Sequence, residues 1–111
     1  YKDESDIGAV CAYLEEHSGE PVSLDQLGEV AGLSKYYLLR SFTKQKGISP
    51  YRYLETIRIA KARKLLERNV PMIEVALQTG FADQSHFSRF FKRLIGVTPR
   101  QYAEIFGGRQ A

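Results

Sequence analysis

The feature that most constrains the fold is an internal repeat, because the second half of the chain follows the pattern of the first. Five positions between residues 24 and 33 match positions 48 residues later, and eight positions between residues 38 and 50 match positions 49 residues later. One additional residue in the second copy accounts for the change of spacing. The chain is therefore predicted to contain one structural unit twice. The clearest matches pair Gly32 with Gly80, Leu38 with Phe87, Arg40 with Arg89, Phe42 with Phe91 and Pro50 with Pro99.

Each copy has the pattern of a helix-turn-helix, which is a short helix, a turn that contains glycine, and a second helix with a capping residue. Apolar residues recur at helical spacing along the chain, and no segment alternates as a β-strand would. The predicted fold class is all-α, with seven helices in two helix-turn-helix lobes of homeodomain-like type, at about residues 7–47 and 71–106. A linker helix at about residues 49–68, which no glycine or internal proline interrupts, joins the lobes.

The helix ends are marked by residues that satisfy free backbone groups. Ser23 with Gln26 and Thr98 with Gln101 match the capping-box pattern. Pro71 is expected to open the fifth helix. Further N-caps are predicted at Ser34, Ser49 and Asp83, and helix ends at Gly32, Gly47, Gly80 and Gly96. Leu38 and Phe42, and likewise Phe87 and Phe91, are expected to point inward. The apolar residues that mark the seven helices are, helix by helix, Ile7, Val10, Cys11 and Leu14; Leu24, Leu27 and Val30; Leu38 and Phe42; Leu54, Ile57, Ile59, Ala62, Leu65 and Leu66; Ile73 and Ala76; Phe87 and Phe91; and Tyr102 and Ile105.

Charge is distributed unevenly along the chain. Residues 1–33 hold one lysine and eight acidic residues, a net charge of −7, whereas residues 34–111 hold fifteen Lys and Arg and five acidic residues, a net charge of +10. A basic body of this kind suggests a polyanionic partner such as nucleic acid. The single cysteine, Cys11, excludes an internal disulfide, and we expect a small core residue in a cytoplasmic protein. No apolar run approaches the ~18 residues of a membrane span, so no membrane partner is expected.

The inward positions of each second helix determine which residues face outward, since each residue turns a helix by about 100°. Both outward faces then carry an arginine, Arg40 in the first copy and Arg89 in the second. Arginine is the side chain best shaped to donate two hydrogen bonds to guanine O6 and N7 in the DNA major groove. The residues predicted to read base edges are Tyr36, Leu39, Arg40, Gln84, Ser85, His86 and Arg89.

Other residues near the ends of these helices are predicted to contact DNA phosphates. Phosphates are bound by lysine, by arginine, by hydroxyl groups and by the amide groups at helix starts. An anionic cap at Asp83 would weaken phosphate binding by the amides that follow it. The predicted phosphate contacts are Ser34, Lys35, Thr43, Lys44, Lys92, Arg93, Thr98 and Arg100.

Other interpretations of the same residues stay open at this point. Each cation is also compatible with a solvated charge or with the ion pair of a neighbouring acid, and His86 with half-buried packing. A helical adaptor for an acidic protein, or a regulatory module of a larger enzyme, would have a similar basic face. No catalytic residue, cofactor or metal site is predicted, because His17 and His86 are far apart and no phosphate loop or nucleophile motif is present.

The segment from residue 73 to 102 resembles the signature of transcription regulators of the AraC/XylS type. The first unit fits the same family through Ser34, Leu38, Arg40, Phe42, Gly47 and Tyr53–Leu54, and the linker helix through Arg58, Ala62, Leu65 and Leu66. The matching residues of the signature are Ile73, Gly80–Phe81, Asp83, Ser85, Phe87, Ser88–Arg89, Phe91–Lys92, Gly96, Thr98–Pro99 and Tyr102.

The resemblance implies that residues 1–111 are a single DNA-binding domain of this family. Two recognition helices, at about residues 34–46 and 83–94, would enter successive major-groove segments of double-stranded DNA. The resemblance further implies an activator that contacts RNA polymerase, with an effector-sensing domain outside this chain that would also carry any dimerisation.

Overall fold

The structure, a computed structural model, describes the backbone of residues 2–108 and the side chains of residues 7–108. This part of the chain consists of helices joined by short turns. Three of the eight acidic residues counted between residues 1 and 33, Asp3, Glu4 and Asp6, have side chains outside the described part. This architecture confirms the predicted all-α fold class with seven helices. The helices are α1 (Lys2–Glu16), α2 (Leu24–Ala31), α3 (Lys35–Lys46), α4 (Pro50–Glu67), α5 (Met72–Thr79), α6 (Gln84–Ile95) and α7 (Pro99–Phe106).

The predicted capping residues hold the starts of the helices. Ser23 and Thr98 each accept a hydrogen bond from the amide of the glutamine three residues on, whose side chain accepts from the cap amide in return. The side chains of Ser34 and Asp83 accept from the third amides of α3 and α6, and that of Ser49 from the third amide of α4. Both capping boxes and all three further N-caps are thus confirmed.

The ends of the helices also follow the prediction, with one correction at a start. Gly47 and Gly96 end the two longer helices of the repeat at φ values of 82° and 101°, a left-handed conformation that glycine adopts at little cost. Gly32 and Gly80 end α2 and α5. Pro71, expected as the first residue of the fifth helix, instead precedes it, because its ψ of 144° is extended and α5 begins at Met72.

The chain forms two units, residues 1–57 and 58–111, each with its own apolar core. In unit 1, Leu38 and Phe42 of α3 are fully buried among side chains of α1, α2 and the first half of α4. The Phe42 ring packs edge-on against Tyr53, with 5.5 Å between the ring centroids. Each such side chain contributes about 1.5–3 kcal/mol when it leaves water, so these contacts fix the rotation of α3.

In unit 2, the equivalent residues Phe87 and Phe91 of α6 are fully buried as well. A series of ring contacts at centroid distances of 5.4–5.7 Å runs from Phe81 through Phe87 and Phe91 to Tyr102 of α7. The second half of α4 supplies Ile59, Ala62 and Leu66 to this core. The boundary between the units therefore falls inside the continuous helix α4.

Three of the apolar residues that mark the short helices are exposed: Val30 by 37%, Ile73 by 64% and Ile105 by 62%. Each lies on a helix of only eight residues, where a few apolar positions fit several rotational phases equally well. In α5 the buried face is formed by Val75, Ala76 and Thr79. The phase of such a short helix is set by the neighbours that it packs against.

The two helix-turn-helix turns differ by the one residue that the spacing predicted. Three residues separate α2 from α3, and four separate α5 from α6. The shorter turn passes close to Gly28 of α2, where an added Cβ would lie 2.6 Å from the carbonyl oxygen of Leu33. The equivalent residue in unit 2 is Ala76, which is buried with its methyl group in place. Glycine is therefore required by the shorter turn and not by the repeat in general.

We expect Gly28→Ala to destabilise the fold by about 1–3 kcal/mol, because a backbone carbonyl cannot move aside as a flexible side chain can. Inside an ordinary helix the same change stabilises by roughly 0.5–1 kcal/mol, so the sign of the effect is diagnostic. Urea unfolding monitored by circular dichroism measures it, with Ala76→Gly as the matched control, expected to cost about 1 kcal/mol. A Gly28→Ala protein that is more stable than the parent chain would contradict the close approach.

Candidate nucleic-acid interface

The outer face of α3 carries the residues that the sequence predicts there. Because Leu38 and Phe42 are buried, Tyr36 and Arg40 lie on the opposite side, where Tyr36 is 75% exposed and Arg40 is exposed as well. Among the side chains of residues 7–108, no acid lies within ion-pair distance of Arg40. The guanidinium group, with its five N–H donors, is therefore available to an external acceptor.

The outer face of α6 repeats this arrangement in unit 2. Gln84, Ser85 and Arg89 are exposed, whereas Phe87, Phe90 and Phe91 of the same helix are buried. No described acidic side chain pairs with Arg89 either. The alternative in which each arginine serves a neighbouring acid thus does not hold within the described part of the chain. Two equivalent helices present an unpaired arginine in the same rotational position.

Two of the predicted base-reading residues are placed differently. Leu39 is half-buried and lines an apolar cavity together with Leu24 and Tyr51, so only part of its side chain lies at the surface. His86 is half-buried as well, and its ring packs edge-on against Phe81 with 5.5 Å between centroids. Both residues lie at the flank of their helix, beside the exposed face rather than on it.

The cations predicted to contact phosphates lie around these two faces and are all exposed. Lys35 stands over the ring of Tyr36, with 5.7 Å from its ammonium nitrogen to the ring centroid, which steadies both side chains at the start of α3. Thr43 is exposed, and the side-chain oxygens of Ser34 and Thr98 accept N-cap hydrogen bonds while their O–H groups can still donate to a phosphate. The exposed cations of this group are Lys35, Lys44, Lys92, Arg93 and Arg100.

The start of α6 is electrostatically unlike that of α3, because its cap is an anion. The Asp83 carboxylate accepts a hydrogen bond of 2.7 Å from the amide of His86, whereas the neutral hydroxyl of Ser34 accepts one of 3.2 Å in α3. A negative charge at a helix N-terminus stabilises the helix and repels a second anion. A phosphate is therefore favoured more at the start of α3 than at the start of α6.

A polar network that the sequence did not predict holds α7 in unit 2. The Tyr102 hydroxyl donates a hydrogen bond to the Glu67 carboxylate and accepts one of 3.2 Å from Nε of Arg63. The bond to Tyr102 raises the pKa of Arg63, so this side chain stays a cation. The network fixes α7 and with it Thr98 and Arg100. The sequence shows no signal for it, because its members are 35 and 39 residues apart.

Neither a metal centre nor a membrane span is formed by the described part of the chain. No group of three or more His, Cys, Asp or Glu side chains among residues 7–108 is placed to hold a metal ion. None of the helices, over the part that the structure describes, combines the length and the apolar character that crossing a bilayer requires.

A family model described as "Helix-turn-helix domain" matches residues 27–105. The chain belongs to the AraC/XylS-type helix-turn-helix family. YbfI of Bacillus subtilis (strain 168), an uncharacterized HTH-type transcriptional regulator, is 60% identical over 81 residues, which are 73% of this chain and 30% of YbfI. The HTH-type transcriptional activator RhaS of Escherichia fergusonii is 38% identical over 106 residues, 95% of this chain and 37% of RhaS. The chain thus spans between 30% and 37% of the length of these relatives.

A solved structure extends the likeness to the whole fold. The DNA-binding domain of AdpA, a global transcriptional factor, in complex with a target DNA, superposes with a TM-score of 0.85 at 29% identity. The superposition covers 90% of this chain and 91% of the AdpA chain. The two-unit helical architecture is therefore one that a protein of this family uses when bound to DNA.

We expect Tyr102→Phe to destabilise the chain by about 1 kcal/mol, because the hydrogen bonds to Glu67 and Arg63 are lost while both partners can still reach water. Thermal unfolding followed by circular dichroism measures the change. Tyr36→Phe removes an exposed hydroxyl and serves as the control, with an expected effect below about 0.5 kcal/mol. Equal unfolding temperatures for the two variants would show that the network does not contribute to stability.

Proposed function

We propose that the chain binds double-stranded DNA sequence-specifically and thereby regulates transcription. The observation that carries this proposal is the pair of exposed arginines, Arg40 and Arg89, which lie at equivalent positions of two capped helices and pair with no acid among the described side chains. A duplex presents the same major groove again after each helical turn, so one reading helix repeated in two units suits it better than an irregular protein surface. The AdpA domain, which has the same fold, is in complex with a target DNA.

In this proposal α3 and α6 each enter one of two successive major-groove segments. Arg40 and Arg89 donate paired hydrogen bonds to guanine, while Gln84 and Ser85 bond to neighbouring base edges and Tyr36 packs on a sugar or a thymine methyl. Leu39 and His86 reach bases only from the flank of their helices. The contacts that set the position on the backbone come from Ser34, Lys35, Thr43, Lys44, Lys92, Arg93, Thr98 and Arg100.

The whole protein, in this proposal, is a transcription activator of the cytoplasm that contacts RNA polymerase and acts by binding rather than by catalysis. RhaS is named as an activator and YbfI as a regulator. Residues 1–111 are its DNA-binding domain, with lobes at about 7–47 and 71–106 and the linker helix at about 49–68. Because both relatives are much longer than this chain, the effector-sensing domain and any dimerisation are assigned to the rest of the protein.

Arg40→Ala and Arg89→Ala are each expected to weaken binding to the preferred site by about 1–3 kcal/mol and to relax the preference at one base pair. A selection from random DNA first gives the site, and competition titrations with single-base variants then measure the preference. Arg68→Ala, which removes an exposed arginine of unit 2 outside α6, is the control for the loss of charge and should leave every base preference unchanged. Equal losses of affinity for all DNA sequences would show that Arg40 and Arg89 contact only phosphates.

The logarithm of the binding constant is expected to fall linearly with the logarithm of the salt concentration, by about 0.9 per phosphate contacted, because counterions are released from the DNA. Lys92→Ala should lower that slope by about 0.9. Lys64→Ala, at an exposed lysine of α4, should leave it unchanged. Fluorescence anisotropy over a salt series measures all three slopes, and a flat response of the parent chain would count against DNA as the partner.

A further inference from the structure

Unit 1 contains an apolar cavity of about 310 Å³, and most of its lining lies outside the proposed DNA-binding surface. Its lining includes Leu14 and Leu54, which are buried almost completely, and also Leu39 and Tyr51, which reach the surface. The cavity therefore extends from the core of the unit to solvent. Apolar surface that stays in contact with water in such an opening is typical of ligand-binding grooves.

The chemistry of the lining selects an uncharged ligand. Five leucines, a valine, a proline and a tyrosine form most of it, and none of these described side chains carries a charge. The other two lining residues are Ser23 and Ser49, whose hydroxyl oxygens already accept N-cap hydrogen bonds of 3.2 and 3.1 Å. The hydroxyl groups of these serines and of Tyr51 can still donate hydrogen bonds, but they are neutral. A charged group placed here would therefore lose water without meeting an opposite charge, which an apolar group does not need.

Comparison of the two copies shows that the helix-turn-helix does not require the whole of this lining. At the repeat spacing of 49 residues, Leu39, Tyr51 and Leu54 correspond to Ser88, Arg100 and Ala103. The second unit thus folds with a hydroxyl, a guanidinium and a methyl group where the first has three large apolar or aromatic groups. These three side chains are particular to unit 1, whereas Leu24 and Leu27 of the lining correspond to the apolar Met72 and Val75.

We propose that this cavity is a binding site for an uncharged, largely apolar small molecule of two or three rings. A cavity of about 150 Å³ can hold benzene, so about twice that volume suits a larger ring system. The volume also lies at the lower end of the ~300–1,000 Å³ that is typical of small-molecule pockets. The inference concerns binding by unit 1 alone and does not depend on the proposed DNA contacts.

The test uses N-phenyl-1-naphthylamine, an uncharged aromatic probe whose fluorescence rises in apolar surroundings, titrated against the 111-residue chain. We expect saturable binding of one probe per chain. Leu39→Ser, which introduces the residue of the second copy, should weaken binding at least about tenfold. Leu39→Phe keeps the lining apolar but fills part of the volume, and should weaken binding as well. Circular dichroism confirms that each variant is folded, and Leu39→Phe decides the matter should Leu39→Ser unfold.

The matched control is Leu77→Ser, because Leu77 of α5 is a leucine that is 73% exposed and reports adsorption of the probe to surface apolar groups. Its affinity for the probe should stay within about twofold of the parent chain. The proposal is overturned by the absence of saturable binding, or by a loss of affinity in Leu77→Ser that Leu39→Ser and Leu39→Phe do not show.

Discussion

The interaction on which the rest of this structure depends is the burial of two side chains one helical turn apart in each longer helix of the repeat. Leu38 and Phe42 anchor α3, and Phe87 and Phe91 anchor α6. Each pair contributes several kcal/mol of apolar burial, far more than an exposed side chain gains from any one rotation of the helix. The pair therefore sets the rotational phase, and the phase decides that Arg40 and Arg89 point away from the core.

The N-caps act together with the buried pairs, because they decide where each helix starts and therefore which residues stand in its first turn. Ser34 and Asp83 hold equivalent positions, but one is neutral and the other is an anion. The two helices thus have equivalent backbone positions but a different electrostatic potential at their N-termini. Such differences allow one repeated unit to contact two unlike stretches of DNA, since base contacts and phosphate contacts vary separately on a fixed backbone.

The repeat also shows which features belong to the frame and which to one copy. The buried apolar pairs, the terminal glycines and the N-caps of the longer helices recur in both units, so the helix-turn-helix needs them. Gly28 and Leu39 do not recur, because the second copy has Ala76 and Ser88 there. Gly28 is explained by the three-residue turn, whose backbone passes within 2.6 Å of the place of a Cβ. Leu39 is explained by the apolar cavity of unit 1.

The sequence by itself determined the helical class, the two copies, the caps and the outward arginines. Periodicity, capping patterns and repeat spacing can be recognised without knowing which distant residues pack together. It did not determine which side of the short helices is buried, as the exposed Val30, Ile73 and Ile105 show, since the rotation of an eight-residue helix is set by the surface on which it packs. Only the tertiary structure decided that Leu39 lines a cavity and that Tyr102 bonds to Glu67. Both depend on residues that are distant in the chain, and no local pattern reports which side chains packing will bring together.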